Sequence, residues 1–128
     1  MVTPRDQLAV QLRAVLAPAV TVYSFPPEVV RAPAVVLVPR SPYRSDDTYG
    51  TERWALTALC LIVRAGDVQA GWDALDVLVS DVRAVVKAQP RAVWEGADNA
   101  GNTVPVGGVE YLSATCQVSW HEPPTVTN

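Results

Sequence analysis

Eleven prolines are spread along this chain of 128 residues, yet none falls between Tyr43 and Gln89. Proline lacks a backbone donor and clashes with the preceding turn of a helix, so long regular elements are confined to the stretch that avoids it. Two elements stand out there. Over residues 52–64, Trp54, Leu56, Ala58, Cys60 and Ile62 alternate with Ala55, Thr57, Leu59, Leu61 and Val63, which predicts a long strand. Both of its faces are largely apolar, so it belongs in the middle of a sheet or against a neighbouring chain. Residues 64–67 then turn into a helix capped by Asp67 and running to about Gln89. Val68, Trp72, Leu75, Val79, Val82 and Val86 make its stripe, widened by Leu78 and Val85. Gln69, Asp73, Asp76, Ser80, Arg83 and Lys87 occupy the opposite side, with acids early and bases late as the helix dipole favours.

Outside the window the elements are shorter. Thr3 suits a helix N-cap, Pro4 the first helical position and Asp6 the positive end of the dipole. Leu8, Leu12, Val15 and Leu16 form one apolar stripe, and Pro18 closes the helix. Residues 21–23 and 34–38 are strand candidates. Residues 40–51 are polar and read as a long hairpin tip or a loop. Val93 and Trp94 begin a further strand, the Gly- and Asn-rich residues 96–102 a turn, and residues 103–106 a short pairing segment. Over residues 109–121, Leu112, Ala114, Cys116, Val118 and Trp120 alternate with Tyr111, Ser113, Thr115, Gln117 and Ser119, a half-buried strand. The order predicts an α+β fold: an antiparallel or mixed sheet with a short N-terminal helix and one long amphipathic helix packed on it. Residues 1–122 are expected to form a single domain, and residues 123–128 a flexible tail.

Composition removes several function classes. Hydrophobic residues at 49% against charged residues at 18% give a globular chain. The net charge is −3 and the basic residues are scattered singly, unlike a groove built to grip nucleic-acid phosphates. The longest uncharged apolar run, residues 55–63, is far short of a membrane span, and the N-terminus does not resemble a secretory leader. No membrane partner is expected. Two cysteines are too few for a disulfide framework and point to a reducing compartment.

Candidate chemistry is thin. His121, the single histidine, sits at a strand end and reads as a surface residue, since acid–base or metal work would need orienting partners. Cys60 and Cys116 lie within apolar strands without metal-ligand or Cys-x-x-Cys spacing, as small buried hydrophobes do. Asp46 with Asp47, and Asp73 with Asp76, are carboxylate pairs in polar surroundings and read as solvated charge. Gly96, Gly101, Gly107 and Gly108 precede no helix and cannot form a phosphate-cradling turn. No catalytic residue, metal or cofactor is expected, and an enzyme is disfavoured. The most informative stretch interleaves aromatic residues and arginines: Arg40, Tyr43, Arg44, Tyr49, Arg53 and Trp54, with Asp46 and Asp47 among them. Such residues occupy the energetic centres of protein interfaces, and the accompanying acids argue for a protein rather than a nucleic-acid partner. These eight are the candidate subunit or tube interface.

Taken together, several features of the chain resemble the tail terminator family of long-tailed bacteriophages. They are the amphipathic helix beginning Thr3-Pro4, the short strand at Val22, and the Pro-rich connection to residues 34–38. The Arg/Asp/Tyr-rich excursion, the strand of residues 54–63, the turn into the helix carrying Trp72, Leu75, Leu78 and Val82, and the final strand ending at Trp120 complete the pattern. The likeness is one of order and spacing over about residues 3–122. It implies a structural virion protein that forms a homo-oligomer, usually a hexameric ring, at the head-proximal end of the tail. The ring caps the tail tube, stops its elongation and meets the head-closure or connector protein, and it would be assembled in the host cytoplasm. Independently, a chain of this size has a diameter of roughly 36 Å as a sphere. Six touching spheres enclose a hole of about one sphere diameter, room for duplex DNA to pass, and an acidic protomer would not bind that DNA specifically. The alternatives are another neck component, which should be barrel-like, and a cytosolic ligand-binding domain, which should enclose an apolar pocket.

Overall fold

The computed structural model describes residues 3–46, 51–63 and 68–122. Two helices, α1 (Pro4–Leu16) and α2 (Val68–Ala88), pack on a sheet of five strands: β1 (Thr21–Tyr23), β2 (Ala34–Asp46), β3 (Glu52–Val63), β4 (Ala92–Val106) and β5 (Val109–Glu122). The order across the sheet is β1-β2-β3-β5-β4. β1 runs parallel to β2, and every other neighbouring pair is antiparallel. The fold is the expected α+β arrangement with a mixed sheet.

Local chemistry sets the elements as the sequence predicts at several points. Thr3 accepts from the Asp6 backbone N–H through its hydroxyl, while the Asp6 carboxylate accepts from the Thr3 backbone N–H, a reciprocal cap with Pro4 behind it. β3 is the central strand, which explains its two apolar faces. On one face, Val35 and Leu37 of β2, Trp54, Leu56, Ala58 and Cys60 of β3, and Ala114, Cys116, Val118 and Trp120 of β5 form a core under both helices. Leu8, Leu12 and Leu16 of α1 and Leu75, Leu78, Val82, Val85 and Val86 of α2 close it. On the other face, Val30 from the β1–β2 connection covers Ala34, Val36, Leu61 and Tyr111, and the Tyr111 hydroxyl donates to the Val30 carbonyl at 3.1 Å.

One alternative is decided and three expectations need correction. Of the hairpin tip and the loop, residues 40–46 follow the first: β2 continues through them, antiparallel to β3, to pair Arg44 with Trp54 and Asp46 with Glu52, after a register shift between Pro39 and Arg44. Residues 96–102 are not a turn. β4 runs through them with irregular register between Trp94 and Gly96 and between Asp98 and Asn102, and the positive φ of Gly96 and Gly101 absorbs these irregularities. The stripe of α2 is not buried along its whole length, because Val68 is 70% exposed and Trp72 40%. Finally, Val15 of α1 is also exposed. The first turns of α2 overhang the apolar face, and Trp72 lies instead on the backbone of Gly101, where a Cβ would stand 2.3 Å from the indole. The Asp67 cap, the turn at residues 64–67 and the tail at residues 123–128 lie outside the described residues.

Candidate interaction surfaces

The β2–β3 arm carries most of the aromatic–arginine stretch. The Trp54 indole is 5% exposed, because β3 turns it to the helix-covered side. Tyr43 packs edge-on against it with ring centroids 5.3 Å apart, and the Arg44 guanidinium lies 4.1 Å above its ring. Glu52 holds the group together. Its carboxylate accepts from Nη2 of Arg44 at 2.8 and 2.9 Å and from the Trp54 indole N–H at 2.8 Å. The hydrogen bonds from Arg44 keep the Glu52 carboxyl below the usual carboxylate range; burial opposes them, and the Arg44 charge and the indole N–H add to them. Trp54 is thus an internal anchor, and the surface of the arm is presented by Arg44, Tyr43 and the exposed Asp46. Asp47 and Tyr49 lie outside the described residues.

Arg40 and Arg53 belong to a different group on the opposite face. The Glu95 carboxylate pairs with both, accepting from Nη2 of Arg53 at 2.6 Å and from Nη2 of Arg40. Burial pushes this carboxyl up, and the hydrogen bonds and charges of the two arginines outweigh that and hold it below the ordinary range. A polar row continues beside it. Thr57 donates to the Gln117 side-chain carbonyl at 3.2 Å, and the Thr115 hydroxyl donates to the Asp98 carboxylate. At the end of the row, the Ser119 hydroxyl is 3.1 Å from Nε2 of His121. The six described candidate interface residues, Arg40, Tyr43, Arg44, Asp46, Arg53 and Trp54, are therefore split between two faces, with Glu52 and Glu95 as the organising acids. Neither acid was legible as a site residue; Glu95 is 55 and 42 residues from its partners.

Cys60 and Cys116 do meet, with Sγ atoms 3.8 Å apart under the helices. Cys60 pairs in register with Ala114 and Ala58 with Cys116, so the thiols are diagonal neighbours on one face. Their mutual hydrogen bond, with burial, pushes the Cys60 thiol well above its usual pKa. They are packed as small hydrophobes. Asp73 and Asp76 are exposed on α2.

A third surface has no counterpart among the predicted residues. An apolar groove of about 420 Å³ lies between α2 and the α1–β1 corner, lined by Val20, Pro33, Ile62, Ala74, Val77 and Leu78, with Asp73 and Asp81 at its edge. The signal for it is Val77, a large aliphatic residue set off the buried stripe of α2 and 60% exposed. A smaller hollow of about 330 Å³ near the other end of the helices is lined by Gln7, Val10, Gln89, Arg91 and Trp120.

Comparison with protein-family models gives no match, and comparison with curated proteins gives none either.

Proposed function

We propose that this chain is a structural subunit that assembles head to tail into a closed ring, the role that its resemblance to phage tail terminators implies. One observation carries this reading: among the described residues, the sheet ends in two flanks that are unlike each other. On one side stand the three-residue β1, the outer edge of β2 and the apolar groove. On the other stands the fifteen-residue β4, with Trp72 laid over it. A contact between different patches on opposite flanks is heterologous, and repeated rotation through it produces a ring when it closes. The open sheet backed by a long helix favours this role over a barrel-like connector.

In this role the ring would sit at the head-proximal end of the virion tail, cover the growing face of the tail tube and offer a new face to the head-closure protein. Duplex DNA would pass through the lumen without specific binding. The β2–β3 arm, projecting Arg44 and Asp46, is the element assigned to the tube or to a neighbouring subunit. The test is particle mass and imaging of the purified chain, alone and added to polymerising tail-tube subunits. The expected result is a closed particle of one stoichiometry, six by the resemblance, together with tubes that stop growing. Open filaments, or a chain monomeric both alone and on tubes, would overturn the reading.

A further inference from the structure

The groove beside β1 and the exposed indole beside β4 lie on opposite flanks of the same helix, and their properties are complementary. Around α2, Asp73, Val77 and Asp81 recur at four-residue spacing and turn towards the groove. Trp72, Val79 and Arg83 fall at the spacing of the other side, which Trp72 fixes against Gly101 of β4. The first side has an apolar floor edged by two acids. The second has an exposed indole face, then Arg83 and Lys87 against the single acid Asp76.

We propose that the groove is the seat for a second copy of this chain, and that it receives the Trp72–Arg83 side of that copy's α2. The inference rests on the ring reading and adds the interface through which the ring closes. In this proposal the ring axis runs along α2; rotation about such an axis leaves each residue at its own height, so partners must match in height across the two flanks. They do: Trp72 and Asp73 differ by one residue, about 1.5 Å of rise, and Arg83 and Asp81 by two, about 3 Å. The indole of one copy therefore arrives beside Ala74 of the next, within one helical turn of Val77, while the Arg83 guanidinium reaches the Asp81 carboxylate. An exposed tryptophan entering an apolar recess with a charge pair at its rim is the arrangement in which interfaces concentrate their affinity. The flanks also differ in sign, so groove-to-groove contact would set Asp73 and Asp81 against their own copies and is disfavoured.

The test uses the full chain, in whichever state the wild type assembles, with the dissociation constant read by sedimentation and circular dichroism confirming the fold. Val77 and Asp81 are exposed, so substitution leaves the core intact. Val77→Arg, which fills the groove with charge, is expected to weaken assembly about 30-fold or more. Asp81→Arg is expected to weaken it about tenfold, and adding Arg83→Asp to restore most of that loss by reversing the pair. Assembly unaffected by Val77→Arg would overturn this interface and leave the ring reading standing. A double variant as weak as Asp81→Arg alone would overturn the Arg83 pairing, and particles that stop at a dimer would overturn head-to-tail seating. A wild-type chain that is monomeric alone and on tubes would overturn both readings.

Discussion

The two faces of β3 and β5 are built from the same strands and closed in different ways. Under the helices, Leu56, Ala58, Cys60, Cys116 and Val118 form one continuous apolar layer. On the reverse face, apolar packing stops partway. Val36, Leu61 and Tyr111 are covered by the β1–β2 connection, and beyond them polar side chains pair with one another: Thr57 with Gln117, and Arg40 and Arg53 with Glu95. The contrast teaches where stability and specificity reside. Buried apolar area dominates folding free energy, whereas partly exposed ion pairs contribute little and mainly fix geometry. The helix-covered face should hold the fold together, and the reverse face should tolerate change.

Replacing one residue on each side is the strongest way to break that division. Leu56 is fully buried beneath the helices, so Leu56→Ala is expected to cost about 3 kcal/mol, from lost transfer energy and the cavity left behind. It would be read as the shift in urea-unfolding free energy. Thr57→Val, one residue along on the other face, should stay within about 0.5 kcal/mol of wild type. Equal losses would mean that the reverse face is a second core. A smaller effect is expected at the boundary between its two halves. The hydroxyl of Tyr111 is the tie that holds the connection at Val30, and Tyr111→Phe removes it while keeping the ring. The loss should be about 1 kcal/mol, with faster proteolysis within residues 24–33. Unchanged proteolysis would show that apolar contact alone holds the connection in place.

The helix-covered face was the legible one, and the reasons are physical. Residues 52–63 and 109–122 announce their alternation because each side chain on that face is chosen for burial, and the proline-free window delimits β3 and α2 without reference to partners. The reverse face hides its organisation in long-range pairs. Residues 40–46 read equally as a hairpin tip or a loop because Arg40, Tyr43, Arg44 and Asp46 have no apolar period, and the strand they form is held by β3, Glu52 and Glu95. Residues 96–102 read as a turn because Gly96 and Gly101 signal one; in an edge strand the same glycines serve as bulges, and Gly101 also leaves room for Trp72. The candidate site was legible by half. Arginines and aromatics on residues 40–54 could be named, but not that Trp54 would turn inward and Arg40 outward to the opposite face. Val77 was the overlooked clue to the groove, an aliphatic residue on a helix side that otherwise alternates small residues and acids.

The subtlest difference between the faces is their response to acid. In the helix-covered core, the Cys116 contact and burial push the Cys60 thiol up, away from neutrality. Glu95 on the reverse face is held below the ordinary carboxylate range by Arg53 and Arg40. A depressed carboxyl binds fewer protons folded than unfolded, so its stabilisation is complete above the ordinary value and is lost as pH falls through the folded one. Glu52 and Asp6 share this sign, and together they give the chain an acid limb of instability. Glu95→Gln removes one contribution and leaves the other two in place. At neutral pH the variant should be less stable by about 1 kcal/mol or less, because the pair is partly solvated. As the pH falls below the ordinary carboxylate range and the wild-type carboxyl is neutralised in the folded state too, the gap should shrink towards zero. Urea unfolding of both proteins across that range isolates Glu95, since the slopes from Glu52 and Asp6 cancel in the difference. A gap that stays constant with pH would mean that Glu95 acts through packing and shape, and the reverse face would then depend on its ion pairs no more than the helix-covered core does.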